Sequence, residues 1–149
     1  MLIGIIGENC SGKSTLADEI KKSIDAQVVT GKDYLRMAKS ESEAVGLFKQ
    51  KLAAAVDGGN LIYVITEPEQ LAFLPDGAVK ILVKADLDTI KERFKARMHG
   101  TLPPPVAQML EKKHGIFDAG DYAYTFDGVN GDADELCEKL REQGKPSLS

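Results

Sequence analysis

The chain predicts a three-layer α/β domain in which a five-stranded parallel sheet is covered by helices on both faces. Three observations carry the prediction. Wholly apolar runs recur at Leu2–Ile6, Leu61–Ile65 and, nearly so, at Val79–Val83, which is how strands buried on both faces of a parallel sheet read. Segments with helical hydrophobic spacing separate these runs. The turn between the first run and the first helical segment is rich in glycine and serine, as a tight connection at the carboxyl edge of such a sheet requires. At 149 residues, one domain over 1–149 is the expectation, long enough for a full core.

The elements follow in order. Leu2–Ile6 is continuous, rich in β-branched residues and closed by Gly7, hence a buried strand. From Lys13 onward, Leu16, Ala17, Ile20 and Ile24 fall on one helical face, while Asp18 and Lys22 are spaced to pair on the other. Gln27–Val29 is a second short strand. Asp33 to about Val56 reads as helical with a break near Ser40–Ser42; Val45, Phe48, Leu52 and Ala55 line its second part, and Gly58-Gly59 stop it. Leu61–Ile65 and Val79–Val83 are the third and fourth strands. Asp86 is placed to cap a helix whose Leu87, Ile90, Phe94 and Met98 form one stripe. His99–Pro105 reads as a loop, because three consecutive prolines have no place inside a helix, and Val106–Lys113 as a short helix after it. Tyr122–Phe126 is the fifth strand. Asp132 with Glu135 opens the last helix, Leu136, Cys137 and Leu140 face inward, Gly144 ends it, and the tail 145–149 frays.

Hydrophobic content of 43% and charged content of 28% are those of an ordinary globular domain. A net charge of −4 argues against a general nucleic-acid or membrane-surface binder, so any bound anion is met by locally placed lysines and arginines. The two cysteines, Cys10 and Cys137, offer neither a disulfide framework nor a paired metal-ligand spacing. No apolar stretch approaches the roughly eighteen residues of a membrane span, and the run ending at Ile6 is too short for a signal peptide. A cytoplasmic protein, monomer or homodimer, is expected.

Chemistry concentrates in Gly7-Glu8-Asn9-Cys10-Ser11-Gly12-Lys13-Ser14-Thr15, a match to G-x-x-x-x-G-K-[ST] with a strand before it and a helix after it. Chance alone yields the four specified positions in roughly one such chain in 200, so the flanking elements make the match specific. Gly7 and Gly12 allow turns closed to residues bearing a Cβ, so that successive N–H groups point into one concavity. The helix beginning at Lys13 adds unpaired N–H groups and the positive end of its dipole. Lys13 brings a full charge to the β and γ phosphates, and the Ser14 hydroxyl is placed to ligate Mg²⁺. A nucleoside triphosphate, ATP with Mg²⁺, is the expected ligand.

The rest of the chain narrows the class. The N-K-x-D run by which GTPases recognise guanine is absent; Val129-Asn130-Gly131-Asp132 lacks the lysine and the spacing. Thr30-Gly31 followed by Asp33-Tyr34-Leu35-Arg36, with Lys32 as an extra residue between them, resembles the adenylate-kinase-like small kinases, which carry Thr-Gly and Asp-x-x-Arg after the second strand. The resemblance implies that Arg36 holds the acceptor's phosphate or carboxylate and that Thr30 and Asp33 line its site. Read from the residues alone, Asp33 suits a helix cap and Arg36 a solvated position. Glu92-Arg93-Phe94-Lys95-Ala96-Arg97 resembles the lid helix of the same family, with Arg93 and Arg97 on one flank of the apolar stripe, able to neutralise a transferring phosphoryl group. The resemblance further implies acceptor-binding helices over about 33–57 and a short lid over about 98–113; Lys112 and Lys113 could add charge after the loop, but that is the minor reading of them. It places Glu67 by the metal or the acceptor, where the family more often has aspartate. Phe126-Asp127-Gly128 resembles the family's adenine-side loop, near Asn130. Asp86 reads as a cap, and His99 and His114 as surface-loop residues without partners.

The activity so implied is transfer of the γ-phosphate of ATP to a small molecule, a nucleoside or deoxynucleoside monophosphate before others. Kinases of the shikimate and gluconate type share the plan. The competing class is a nucleotide-binding protein without an acceptor.

Overall fold

The computed structural model describes residues 1–143; the expected helix stop at Gly144 and the tail 145–149 lie outside the described residues. Five parallel strands, β1 (Leu2–Gly7), β2 (Gln27–Thr30), β3 (Leu61–Ile65), β4 (Val79–Lys84) and β5 (Tyr124–Asp127), stand in the order β2-β3-β1-β4-β5. Helices α1 (Lys13–Ile24), α2 (Glu41–Asp57), α3 (Leu87–Arg97) and α4 (Pro104–Lys113) lie in the crossovers that parallel pairing demands, and α5 (Ala133–Gln143) follows the last strand. β1 is central: Leu2 through Ile6 register with Leu61 through Ile65 on one side, and Ile3 through Gly7 with Val79 through Val83 on the other.

The two-residue period of the strands divides the core between the faces of the sheet. Ile3, Ile5, Ile62, Val64, Ile81 and Val83 meet α1 and α5 through Leu16, Ile20, Leu136 and Leu140. Leu2, Ile6, Tyr63, Ile65 and Leu82 meet α2 through Phe48 and Leu52. On that side Phe48, fully buried, stacks on Tyr34 at 5.0 Å and meets Tyr63 edge-on at 4.9 Å, an arrangement that adds to the area it buries. A smaller cluster of Cys10, Ile90 and Leu110 joins the glycine loop to α3 and α4.

Several expectations need correction. The segment after β2 is not an α-helix at first: Asp33–Met37 is a 3₁₀ turn, the chain extends at Ala38, and α2 begins afresh with Ser40 Oγ accepting from Glu43 N at 3.2 Å. The short turn delivers Tyr34 to the aromatic cluster. Asp33 does not cap it; its Oδ2 accepts the N–H of Thr30 at 3.3 Å. Within α2 it is Ala44 that is fully buried, with Val45 half-buried. Lys22 lies 3.9 Å from Glu19 rather than pairing with Asp18. The proline run does not end before α4. Pro103 is its N-cap and Pro104 and Pro105 fill the first turn, where the missing N–H costs nothing and the fixed φ suits the helix. β5 starts at Tyr124, later than expected; Ala123 N donates to Lys80 O at 2.8 Å just before it, and the Tyr122 hydroxyl donates to Phe117 O at 2.7 Å.

The caps at the other helices stand as expected: Asp86 Oδ2 accepts from Thr89 N at 3.0 Å, and Asp132 Oδ1 from Asp134 N and Glu135 N at 3.0 and 3.3 Å. A second 3₁₀ segment, Pro68–Phe73, follows β3. Among the described residues, no helix is long and apolar enough to cross a membrane.

Candidate phosphate-binding and phosphoryl-transfer site

The site starts where β1 ends. A Cβ on Gly7 would stand 2.5 Å from Ser11 Oγ and 2.9 Å from Val83 O, so only glycine lets the loop fold back over the strand end. Ser11 N closes the turn on Glu8 O at 3.2 Å. Cys10 takes φ 62° and Gly12 φ 106°, the left-handed conformations that turn loop amides inward. Gly12 then serves as the N-cap of α1, accepting from Leu16 N at 3.1 Å.

Lys13 lies under the loop, 7% exposed, and its Nζ donates to Glu8 O at 3.0 Å. Burial lowers its pKa to about 8; the proximity of Cys10 raises it, Arg97 lowers it further, and Glu67 and Glu8 raise it. Ser14 and Thr15 are exposed on the first turn of α1, and Asn9 is half-buried. Ser11 Oγ is the one sealed side-chain polar atom without a partner among the described residues.

Arg93 and Arg97 line one cavity of about 540 Å³ together with Gly12, Thr15, Phe126 and Gly128. They are not equivalent. Arg93 donates from Nη1 to Cys10 O at 3.0 Å and from Nη2 to Gly128 O at 2.8 Å, tying the glycine loop to the loop after β5. Arg97 is exposed and has no partner among the described residues. The tie is close: a Cβ on Gly128 would stand 1.8 Å from Ser11 O. Gly128 N also donates to Lys84 O at 2.7 Å, while Asp127 Oδ1 folds its own loop by accepting from Val129 N and Asn130 N. Asn130 lines a neighbouring cavity of about 380 Å³ instead.

The end of α4 is moored to two strand ends. Lys113 Nζ lies 3.2 Å from Glu67 Oε1, and Glu8 accepts from Gly115 N at 3.1 Å while its other oxygen meets His114 Nδ1 at 3.1 Å. Glu67 is thus paired with Lys113 and also close enough to Lys13 to act on its charge. His114, expected to be unpartnered, belongs to the site's frame; Glu8 and His114 are too far apart in sequence for any local pattern to join them. His99 is exposed, with φ 61° before Gly100 at φ 92°.

On the β2 side, Thr30, Asp33 and Arg36 are all exposed near the carboxyl end of the strand. Thr30 and Asp33 are joined through the Thr30 N–H, and Arg36 has no partner among the described residues. Gln70 was not foreseen. It is 4% exposed, and its Oε1 accepts from Thr66 N and Glu67 N, both at 3.2 Å. The signal for it is a glutamine three residues after Glu67, which itself precedes Pro68, the spacing of a capped turn.

Among the described residues no group of three or more His, Cys, Asp and Glu is poised around a metal ion. Of the two oxygen donors expected for Mg²⁺, Ser14 is exposed on the first turn of α1 and the Glu67 carboxylate is paired with Lys113.

No family model matches the chain, and no curated protein matches it in sequence. Solved structures do match in three dimensions. The YorR protein of Bacillus subtilis, solved with phosphorylated GDP, is 19% identical with a TM-score of 0.65, over 96% of this chain and 95% of that one. Deoxyadenosine kinase from M. mycoides with bound dATP is 17% identical with a TM-score of 0.55, over 96% and 98%. Shikimate kinase from Acinetobacter baumannii with shikimate is 14% identical with a TM-score of 0.60, over 96% and 93%. At these identities the likeness is one of fold, and the fold is that of the small P-loop kinases.

Proposed function

We propose that the chain is an ATP- and Mg²⁺-dependent kinase of a small-molecule acceptor, with a nucleoside or deoxynucleoside monophosphate as the acceptor class. The observation that carries the reading is the buried Lys13 ammonium under a glycine loop whose left-handed residues open α1. A buried cation with one carbonyl as its hydrogen-bond partner is costly unless an anion completes its environment. The structural neighbours that bind nucleotides support a nucleotide as that anion.

In this reading the loop amides and the N-terminus of α1 bind the β and γ phosphates, and Lys13 supplies the charge. Ser14, with Glu67 through water, would hold Mg²⁺, which when bound neutralises charge on the phosphates being separated. Arg97, unpartnered, meets the equatorial oxygens of the transferring group, and Arg93 sets the spacing between the phosphate loop and the nucleoside side of the cleft. Arg36 binds the acceptor phosphate as a fork binds a dianion, with Thr30 and Asp33 beside it. The segment over about 98–113 excludes water, so that acceptor and not solvent is phosphorylated.

Replacing Lys13 by alanine abolishes transfer while circular dichroism and thermal unfolding report an intact fold; undiminished turnover in Lys13→Ala would refute the mechanism. The pairing of Glu67 with Lys113 favours a second reading, a nucleotide-binding protein without transfer. A panel of monophosphates, shikimate and gluconate assayed with Mg-ATP decides: nucleotide binding with no phosphorylated product supports the second reading.

A further inference from the structure

Glu8 is out of place by charge. It follows Gly7 in a loop that, on the kinase reading above, holds a polyanion, and a carboxylate there repels the ligand. Nothing in the G-x-x-x-x-G-K-[ST] pattern asks for an acid at this position. The contacts of the side chain account for it. Glu8 is 15% exposed, and both carboxylate oxygens are engaged just beyond the end of α4. One accepts from Gly115 N and the other meets His114 Nδ1, each at 3.1 Å. A carboxylate offers only lone pairs, so Nδ1 carries the proton in this pair.

The backbone of the same residue serves the grip. The Glu8 carbonyl accepts from Lys13 Nζ at 3.0 Å and from Ser11 N at 3.2 Å. One residue therefore ties the charged lysine to the segment that follows α4. Of the charged groups that act on Lys13, Glu8 acts least, as suits a carboxylate turned toward His114 rather than toward the ammonium. The segment it holds is a fixed post. Successive turns close it: Ile116 N donates to Lys113 O, Asp118 N to Gly115 O and Gly120 N to Phe117 O. Phe117 is 3% exposed in the core on the α2 side of the sheet, and Asp118 lies 3.5 Å from Lys84 at the end of β4.

We propose that Glu8 is a positioning residue of the phosphate site, its side chain pinning the carbonyl that receives Lys13 to the post after α4 and so holding the loop in its anion-binding shape. The identity of the anion rests on the kinase reading above. Position and charge predict opposite signs. If charge were all that Glu8 contributed, every neutral replacement would tighten Mg-ATP, because repulsion is removed. If position is what it contributes, only a replacement that keeps both contacts binds as well as glutamate.

The test compares Glu8→Ala with Glu8→Gln by calorimetric titration of Mg-ATP into the full chain, with melting temperatures of the nucleotide-free proteins as the check on folding. Alanine removes the charge and both contacts. Glutamine removes the same charge, but its Oε1 still accepts from Gly115 N and its Nε2 donates to a His114 ring protonated on Nε2. We expect Glu8→Ala to weaken Mg-ATP roughly tenfold, the scale of lost hydrogen bonds to a charged group. Glu8→Gln binds at least as tightly as the wild type. His114→Ala, which leaves Gly115 N in place, weakens Mg-ATP less and adds little to Glu8→Ala in the double variant. Wild-type affinity in the folded fraction of Glu8→Ala, or Glu8→Gln as weak as Glu8→Ala, overturns the role and leaves the nucleotide site standing. A wild-type chain that binds no Mg-ATP overturns both, whereas binding without transfer to any acceptor overturns the kinase alone.

Discussion

The buried lysine makes nucleotide binding depend on pH in a direction fixed by its environment. Desolvation holds Lys13 at about 8 rather than 10.5, so roughly nine-tenths of free molecules carry the charge at pH 7 and roughly a tenth at pH 9. A triphosphate under the loop restores the charged form. Binding above pH 8 is therefore coupled to proton uptake, about half a proton at pH 8 and approaching one at pH 9, and affinity falls up to about tenfold per pH unit beyond that point. The ligand does not confound the slope, because phosphate groups with a second pKa of about 6 are already fully ionised there. Stability moves oppositely. The folded pKa lies below the unfolded one, so Lys13 costs the nucleotide-free protein about 3 kcal/mol at pH 7. That cost is relieved as pH rises from about 8 towards the unfolded value. Calorimetric titration in buffers of different ionisation enthalpy measures the uptake directly, and Lys13→Met removes both uptake and slope while stabilising the free protein. An affinity flat from pH 7 to 9, with no proton uptake, refutes the account.

The tie between the two loops and the aromatic cluster give further expectations. Gly128→Ala brings a Cβ to 1.8 Å from Ser11 O; separating the loops costs about 3 kcal/mol or more, seen as a melting temperature lower by roughly 6–12 °C. Arg93→Lys cannot bridge Cys10 O and Gly128 O together, since an ammonium lacks the planar fork. It raises the KM for ATP about tenfold in steady-state assays, and a wild-type KM would show the tie to be idle. Phe48→Ala empties a fully buried position among three other aromatic rings and costs about 3–5 kcal/mol by denaturant titration, leaving nucleotide affinity intact in the folded fraction.

What was legible in the sequence was what is local. Apolar runs marked the strands because both faces of a parallel sheet are covered, and the glycine loop was readable because one short stretch carries strand end, turn and helix start. Asp86 and Asp132 were readable as caps for the same reason. The pairs that frame the site were not: Arg93 with Cys10 and Gly128, Glu8 with His114, and Glu67 with Lys113 join residues tens of positions apart, and only the fold decides which of many exposed charges meet. Local rules also failed where packing outweighed them. Asp33 suited a cap, yet the segment it opens is a 3₁₀ turn shaped by the stacking of Tyr34 on Phe48. The prolines suited a loop, yet two of them begin α4, because the first turn of a helix is the one place where their geometry helps.

The central place of β1 has a consequence for the order in which the molecule opens. All six of its residues are buried, and it is hydrogen-bonded on both sides, whereas the edge strands β2 and β5 are four residues long and partly exposed. Local fluctuations in which an edge frays open the end of β2 near Thr30, or the end of β5 near Asp127, without disturbing β1. Amide exchange is accordingly slowest along Ile3–Ile6 and approaches the global unfolding limit there, while the edges exchange through sub-global openings. The loop that begins at Gly7 is built on the last strand to let go, so it keeps its shape through excursions that dismantle either edge of the sheet.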